Sequence, residues 1–226
     1  MINTVSFGII YLSFKFYGEH MNIKEMERIK EHFERCFEQP VEYILHSNET
    51  NILHIDVLCF APTELYPFWK LVTMGASDVK MSLKDKYGRN RNEYMLFVDK
   101  DIDLTNEYQW YVNWLCMTAD YTYVEKQFVT FNHFIQMPNA TDVGEMKGVI
   151  LLLPAAMYNG SILHCKTGLF KYCTCLQVMP ITQAEIEGAQ SNGYEWLVNK
   201  FYPFIYGGED YQNDEEHYLA EKVRSF

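Results

Sequence analysis

His54 and Asp56 are the pair best spaced for chemistry in this sequence. Two residues apart on an extended strand, an imidazole and a carboxylate project from one face, an arrangement that suits acid–base work or a shared metal ion. The same spacing serves a hydrogen-bonded pair that fixes the ring, and the sequence puts no third metal ligand at a recognisable distance from them. Joined by Asp78, the pair is the candidate set for a metal-dependent hydrolase. The structural reading is preferred, with no catalytic residue, no metal and no cofactor expected. A phosphate loop, a dinucleotide-binding glycine motif, a Gly-x-Ser-x-Gly elbow and a His-Glu-x-x-His helix are all absent from the sequence. Gly75-Ala76-Ser77-Asp78 approaches the elbow but lacks its second glycine.

The six cysteines, Cys36, Cys59, Cys116, Cys165, Cys173 and Cys175, sit mostly in apolar runs and read as reduced core residues. Cys173 and Cys175 fall on one face of a strand, while His164 and Cys165 point opposite ways. No finger-like spacing supports zinc. Residues 1–21 form an N-terminal extension with neither the basic start nor the cleavage site of a secretory leader. Lys15 and Glu19 interrupt it too early for a membrane span. Met1 and Met21 both stand as candidate translation starts, and the location is expected to be cytoplasmic.

The elements that must position these residues follow from periodicity. Residues 22–38 repeat apolar side chains at helical spacing, with Asn22 as cap, Glu25 in the capping-box position and Pro40 as the stop. Runs at 41–45 and 52–60 flank a turn-rich segment and predict a hairpin. Strands are expected over 68–74, 94–98, 149–153, 161–165 and 172–179, the last ended by Pro180. The polar loop 84–91 is expected to be exposed. Residues 107–121 form a helix whose stripe of Trp110, Trp114, Met117 and Tyr121 reads as core. Thr182 and Glu185 make a second capping box, opening a helix that Gly188 weakens. Tyr194, Leu197, Val198 and Phe201 face inward from a last helix that Pro203 closes. Hairpins mixed with helices indicate an α+β domain over residues 22–206, a mixed central sheet flanked by helices.

The chain has 226 residues and a formal net charge of −11. Acidity of this degree disfavours nucleic acid, whose phosphates require clustered Lys and Arg, and suits a basic protein partner. Residues 207–226 hold six acids and two bases and form an acidic tail after Gly207-Gly208. Within it Glu209, Asp210, Asp214, Glu215 and Glu216 are candidate partner contacts.

One ordered block is more informative than any isolated motif. It runs His54-Ile-Asp-Val-Leu58, Pro62, Leu71-Val-Thr-Met-Gly-Ala-Ser-Asp78 and Met81. Read from its residues, it is a buried strand, a loop, a second strand and a tight polar turn, in which Gly75 permits a backbone angle barred to others. The side chains of Ser77 and Asp78 are short enough to bond back to the main chain. The block resembles the suppressor of fused family, with Ala76 where Met is usual. Glu93-Tyr94-Met95-Leu96, Trp110–Leu115, Phe170–Met179 and the Pro180, Thr182, Glu185 sequence continue the resemblance in order. The resemblance implies a mixed domain on a central sheet with no known catalytic site. It marks His54, Asp56, Thr73, Gly75, Ser77, Asp78 and Glu93 as structural or partner-contact residues. Animal members hold a peptide of a transcription factor as an added strand, which implies a groove near Phe131-Asn132-His133, with Asn132 where those proteins use an acid. Single-domain bacterial members resemble immunity proteins that neutralise polymorphic toxins by binding them. The expected function is therefore protein binding, to a basic toxin domain. Strand-adding peptide regulation and the metal-dependent hydrolase are the alternatives.

Overall fold

A computed structural model describes residues 21–46, 53–85, 88–125, 128–137, 146–154, 160–193, 195–197 and 199–200. The acidic tail, the N-terminal extension up to residue 20 and the hairpin turn at 47–52 lie outside the described residues. Helix α1 (Ile23–Phe37) starts where the Asn22 side chain accepts from the Glu25 amide, and ends on Glu38 in the left-handed conformation, before Pro40 is reached. Strands β1 (Tyr43–His46), β2 (Asp56–Phe60), β3 (Phe68–Met74) and β4 (Asn92–Asp99) then follow, each antiparallel to the one before it. Helix α2 (Leu104–Glu125) leads to β5 (Phe134–Gln136) and β6 (Met146–Leu152). A 3-10 turn (Gly160–Leu163), β7 (His164–Lys166), β8 (Tyr172–Thr182) and α3 (Gln183–Asn192) follow, and residues 195–197 and 199–200 are helical.

The sheet order is β1-β2-β3-β4-β8-β6-β5, with β7 also paired to β8. Only the β4–β8 pair among those described is parallel. The chain is the expected α+β domain.

The sheet is covered on both faces, which is why β2 and β4 read as near-continuous apolar runs rather than alternating ones. Val57, Cys59, Leu71, Tyr94, Leu96 and Val98 pack with α2 residues such as Trp114 and Leu115 on one side. Met117 and Tyr121 pack against the same cluster, so the helical stripe is core; the side chain of Trp110 is outside the described residues. Alternate strand residues, Leu58, Phe60, Val72, Met95 and Phe97, meet Ile29, Phe33, Cys36 and Phe37 of α1. Ile150, Leu152, Met179 and Ile181 pack with Ile186, Ala189 and Leu197. All six cysteines are buried and free. Lys70 is also buried: its Nζ donates to the Ala61 carbonyl at 2.7 Å and lies 5.7–5.9 Å from the ring centres of Phe37, Tyr66 and Phe68. Burial lowers its pKa to about 8.

Three expectations are corrected and a fourth is extended. Residues 161–163 form a 3-10 turn rather than a strand, and extended pairing starts only at His164. Pro180 lies inside β8, opposite Val149 of β6. It lies beyond Gln177, the last residue of β8 that is in register with β4. The loop at 84–91 is not simply exposed, because Asp85 and Arg89 pair at 2.6 Å and buried Asn90 donates to the Met81 carbonyl. Gly188 does more than weaken α3: a Cβ there would lie 2.3 Å from the Trp196 ring, so the glycine makes room for it. The Thr182–Glu185 capping box forms with both of its bonds. No helix among the described residues is long and apolar enough to cross a membrane.

Candidate functional site

Buried Glu93 organises the turn between β3 and β4. Its side chain points into the protein from the second residue of β4 and is fully buried. The Thr73 hydroxyl donates to Oε2 at 2.6 Å, and the amides of Gly75 and Ser77 donate to Oε1 at 3.2 and 3.0 Å. Thr73 Oγ1 accepts in turn from the Tyr94 amide at 2.8 Å. Burial drives the Glu93 carboxyl up to about 7, and the three donors offset only part of that shift.

The opposite side of the turn is held by cations. Arg91 Nη1 donates to the carbonyls of Ser77 and Asp78, each at 2.7 Å. The Asp78 carboxylate accepts from the Met21 amide and lies 3.7 Å from Lys171 Nζ, which also pairs with Glu25 at 2.7 Å. Burial raises the Asp78 pKa, and the Met21 amide and Lys171 partly offset it. Gly75 has a φ of +127°, and its Cα faces the His54 carbonyl. Thr73, Gly75, Ser77, Asp78 and Glu93 thus form one connected, inward-facing structure.

His54 and Asp56 meet differently from the expectation. Strand β2 begins only at Asp56, and His54 precedes it. Asp56 is nearly buried, and its Oδ1 lies 3.6 Å from His54 Nε2. The tighter partner is His46, whose Nδ1 is 2.6 Å from the same oxygen because the hairpin register sets His46 opposite Asp56. That hydrogen bond raises the His46 pKa. Asp78 does not join this group, whose described members are His46, His54 and Asp56. His46, Arg91 and Lys171 were not singled out by sequence. The hairpin pattern was the available signal for His46, but the long turn left its register open.

Asn132 and His133 immediately precede β5, the terminal strand of the described sheet. Asn132 has a φ of +66°, and its amide donates to the Leu151 carbonyl at 2.6 Å. The Leu151 amide returns a bond to the His133 carbonyl at 2.8 Å, while Phe131 and His133 face solvent. Glu209, Asp210, Asp214, Glu215 and Glu216 lie outside the described residues.

The family described as Suppressor of fused protein (SUFU) matches residues 53–209, a span that opens just before His54 and continues beyond the described residues. The chain belongs to the suppressor of fused family. A suppressor of fused homologue from Neisseria gonorrhoeae has the same fold, with a TM-score of 0.56 at 14% identity over 80% of this chain and 90% of that one. The Sufu–Fu complex contains a similar chain, with a TM-score of 0.57 at 13% identity over 89% of this chain and 98% of that one. Drosophila Suppressor of Fused matches with a TM-score of 0.54 at 14% identity over 84% of this chain and 48% of its own length. No curated protein matches the chain. In this suppressor of fused domain, the ordered block supplies the turn at 73–78, and Glu93 from the following strand supplies the carboxylate that holds it.

Proposed function

We propose that this domain works by binding a partner protein stoichiometrically, and that the partner is a basic toxin domain which the chain neutralises as a cytoplasmic immunity protein. The observation that carries the reading is the inward engagement of the turn at 73–77 with Glu93. With Glu93 buried and bonded to Thr73, Gly75 and Ser77, these groups hold a scaffold and leave recognition to the surface. A protein of the same fold occurs in the Sufu–Fu complex. Six buried free thiols agree with a reducing compartment. On this reading the domain has no turnover of its own.

The charge of −11 gives the reading a kinetic consequence. Association with a basic toxin domain is expected to slow as salt rises, because screening at ~0.15 M limits charge attraction to ~8 Å. Dissociation reflects close packing at the interface and is expected to change much less. Removing residues 207–226 is expected to slow association while leaving the fold intact. Stopped-flow binding over a salt series checks both expectations. An association rate flat across the series, or an acidic partner, would overturn the electrostatic argument.

A second reading has its own observation. Among the described residues β5 is the terminal strand, and exposed Phe131 and His133 immediately precede it, a surface to which an extended peptide could add as a strand. On that reading Asn132 and His133 border the added strand.

A further inference from the structure

We propose that His46, His54 and Asp56 bind a divalent late-transition metal ion, with zinc the preferred occupant. The inference does not depend on the partner reading. The sequence offers two ligands, His54 and Asp56, and the hairpin supplies the third by pairing His46 with Asp56 in register. One ligand atom from each residue lies within 4.8 Å of the other two. The two imidazole rings are inclined by only 20° with centres 6.4 Å apart, so both flank the same carboxylate.

Burial divides the group into a fixed part and an adjustable part. The Asp56 side chain is 8% exposed, whereas those of His46 and His54 are 70% and 69% exposed. The carboxylate is thus an anchor at the head of β2, and the rings can turn toward an arriving ion at little packing cost. Tetrahedral zinc, with bonds of about 2.0–2.1 Å, sets its ligand atoms about 3.3 Å apart. The 3.6 Å His54–Asp56 separation already approximates this, and the 2.6 Å His46–Asp56 bond needs to open by less than an ångström.

Two imidazoles and one carboxylate favour zinc, copper, nickel or cobalt over magnesium or calcium, which prefer oxygen ligands. Three protein ligands leave a fourth position for water or for a side chain of a bound protein. His46 ends β1 and Asp56 begins β2, so a bound ion would clip the hairpin across its turn.

The test uses the full chain stripped of metal, with zinc as the probe. Calorimetric titration is expected to give one zinc per chain and a melting temperature raised by several degrees on saturation. Magnesium at the same concentration is expected to give neither. His46→Gln and His54→Gln are each expected to weaken zinc binding at least tenfold. Both rings are exposed, so the metal-free melting temperature should stay near that of the parent. A check without substitution is the imidazole NMR spectrum, in which zinc should shift the resonances of His46 and His54 and leave those of buried His32 in place. Absence of saturable binding, equal affinity in both variants, or unmoved His46 and His54 resonances would overturn the site.

Discussion

Replacing Glu93 with alanine is expected to destabilise the domain by about 3–5 kcal/mol, the largest effect among single substitutions at the site. The change strips the acceptor from the Thr73 hydroxyl and from the amides of Gly75 and Ser77. Each orphaned buried donor costs about 1–3 kcal/mol, and the void left among packed strands adds to the loss. Against this stands the relief of a buried carboxyl whose pKa has risen from 4.5 to about 7. The two effects separate in Glu93→Gln, which keeps an oxygen for the two amides and cannot ionise.

The sign of the pH dependence follows from the direction of the shift. Below about pH 4.5 both folded and unfolded chains carry the proton, and above about pH 7 neither does. Between these values the folded chain binds more proton, so the Glu93 contribution to stability falls as pH rises, by about 3 kcal/mol across the window. Urea denaturation from pH 5 to pH 8 is expected to show that decline in the parent relative to Glu93→Gln. Parallel pH profiles would show that the carboxyl titrates normally. Retention of full stability by Glu93→Ala would mean that the turn is held without it.

Gly75→Val is expected to cost about 3 kcal/mol through two independent faults. A φ of +127° lies in the region that L side chains rarely adopt, and a β-branched residue is the least tolerant of it. A Cβ would also sit 3.0 Å from the His54 carbonyl oxygen, a backbone atom that cannot swing aside as a side chain can. Relief by rotating the peptide would pull the Gly75 amide from Glu93, so strain would pass into the same network. Gly75→Ala is expected to lose less, because it carries the backbone strain with a smaller side chain. Thermal melts of both variants check the order, and an unchanged melting temperature for Gly75→Val would contradict the account of the turn.

The parts of this fold that were legible in sequence are those decided locally. Asn22 capping α1, the Thr182–Glu185 box and the helical recurrence through Trp114, Met117 and Tyr121 depend on neighbours within a few residues. The third strand, Phe68–Met74, was readable because an apolar run is bounded by turn residues. What was not legible depends on partners far along the chain. His46 enters the Asp56 group through cross-strand register, which a turn with two glycines or an Asn-Gly pair would have set but this one does not. Arg91 and Lys171 clamp the 76–78 turn from other elements. Pro180 misled because proline usually ends a strand, yet here it lies inside β8 opposite Val149 of β6. The block of residues 54–81 pointed to the right family, while the role of its polar groups emerged only when Glu93 was seen buried beneath the turn.

The proposal that this domain captures a toxin rather than turning it over is tested most directly by titrating a basic toxin domain that it binds with the purified full chain, while recording residual toxin activity. Stoichiometric capture predicts a linear fall that reaches zero at one chain per toxin, with a complex of the two in equal amounts and both chains chemically unchanged. Full loss of activity at a small fraction of that ratio, with the toxin cleaved or modified, would contradict the account.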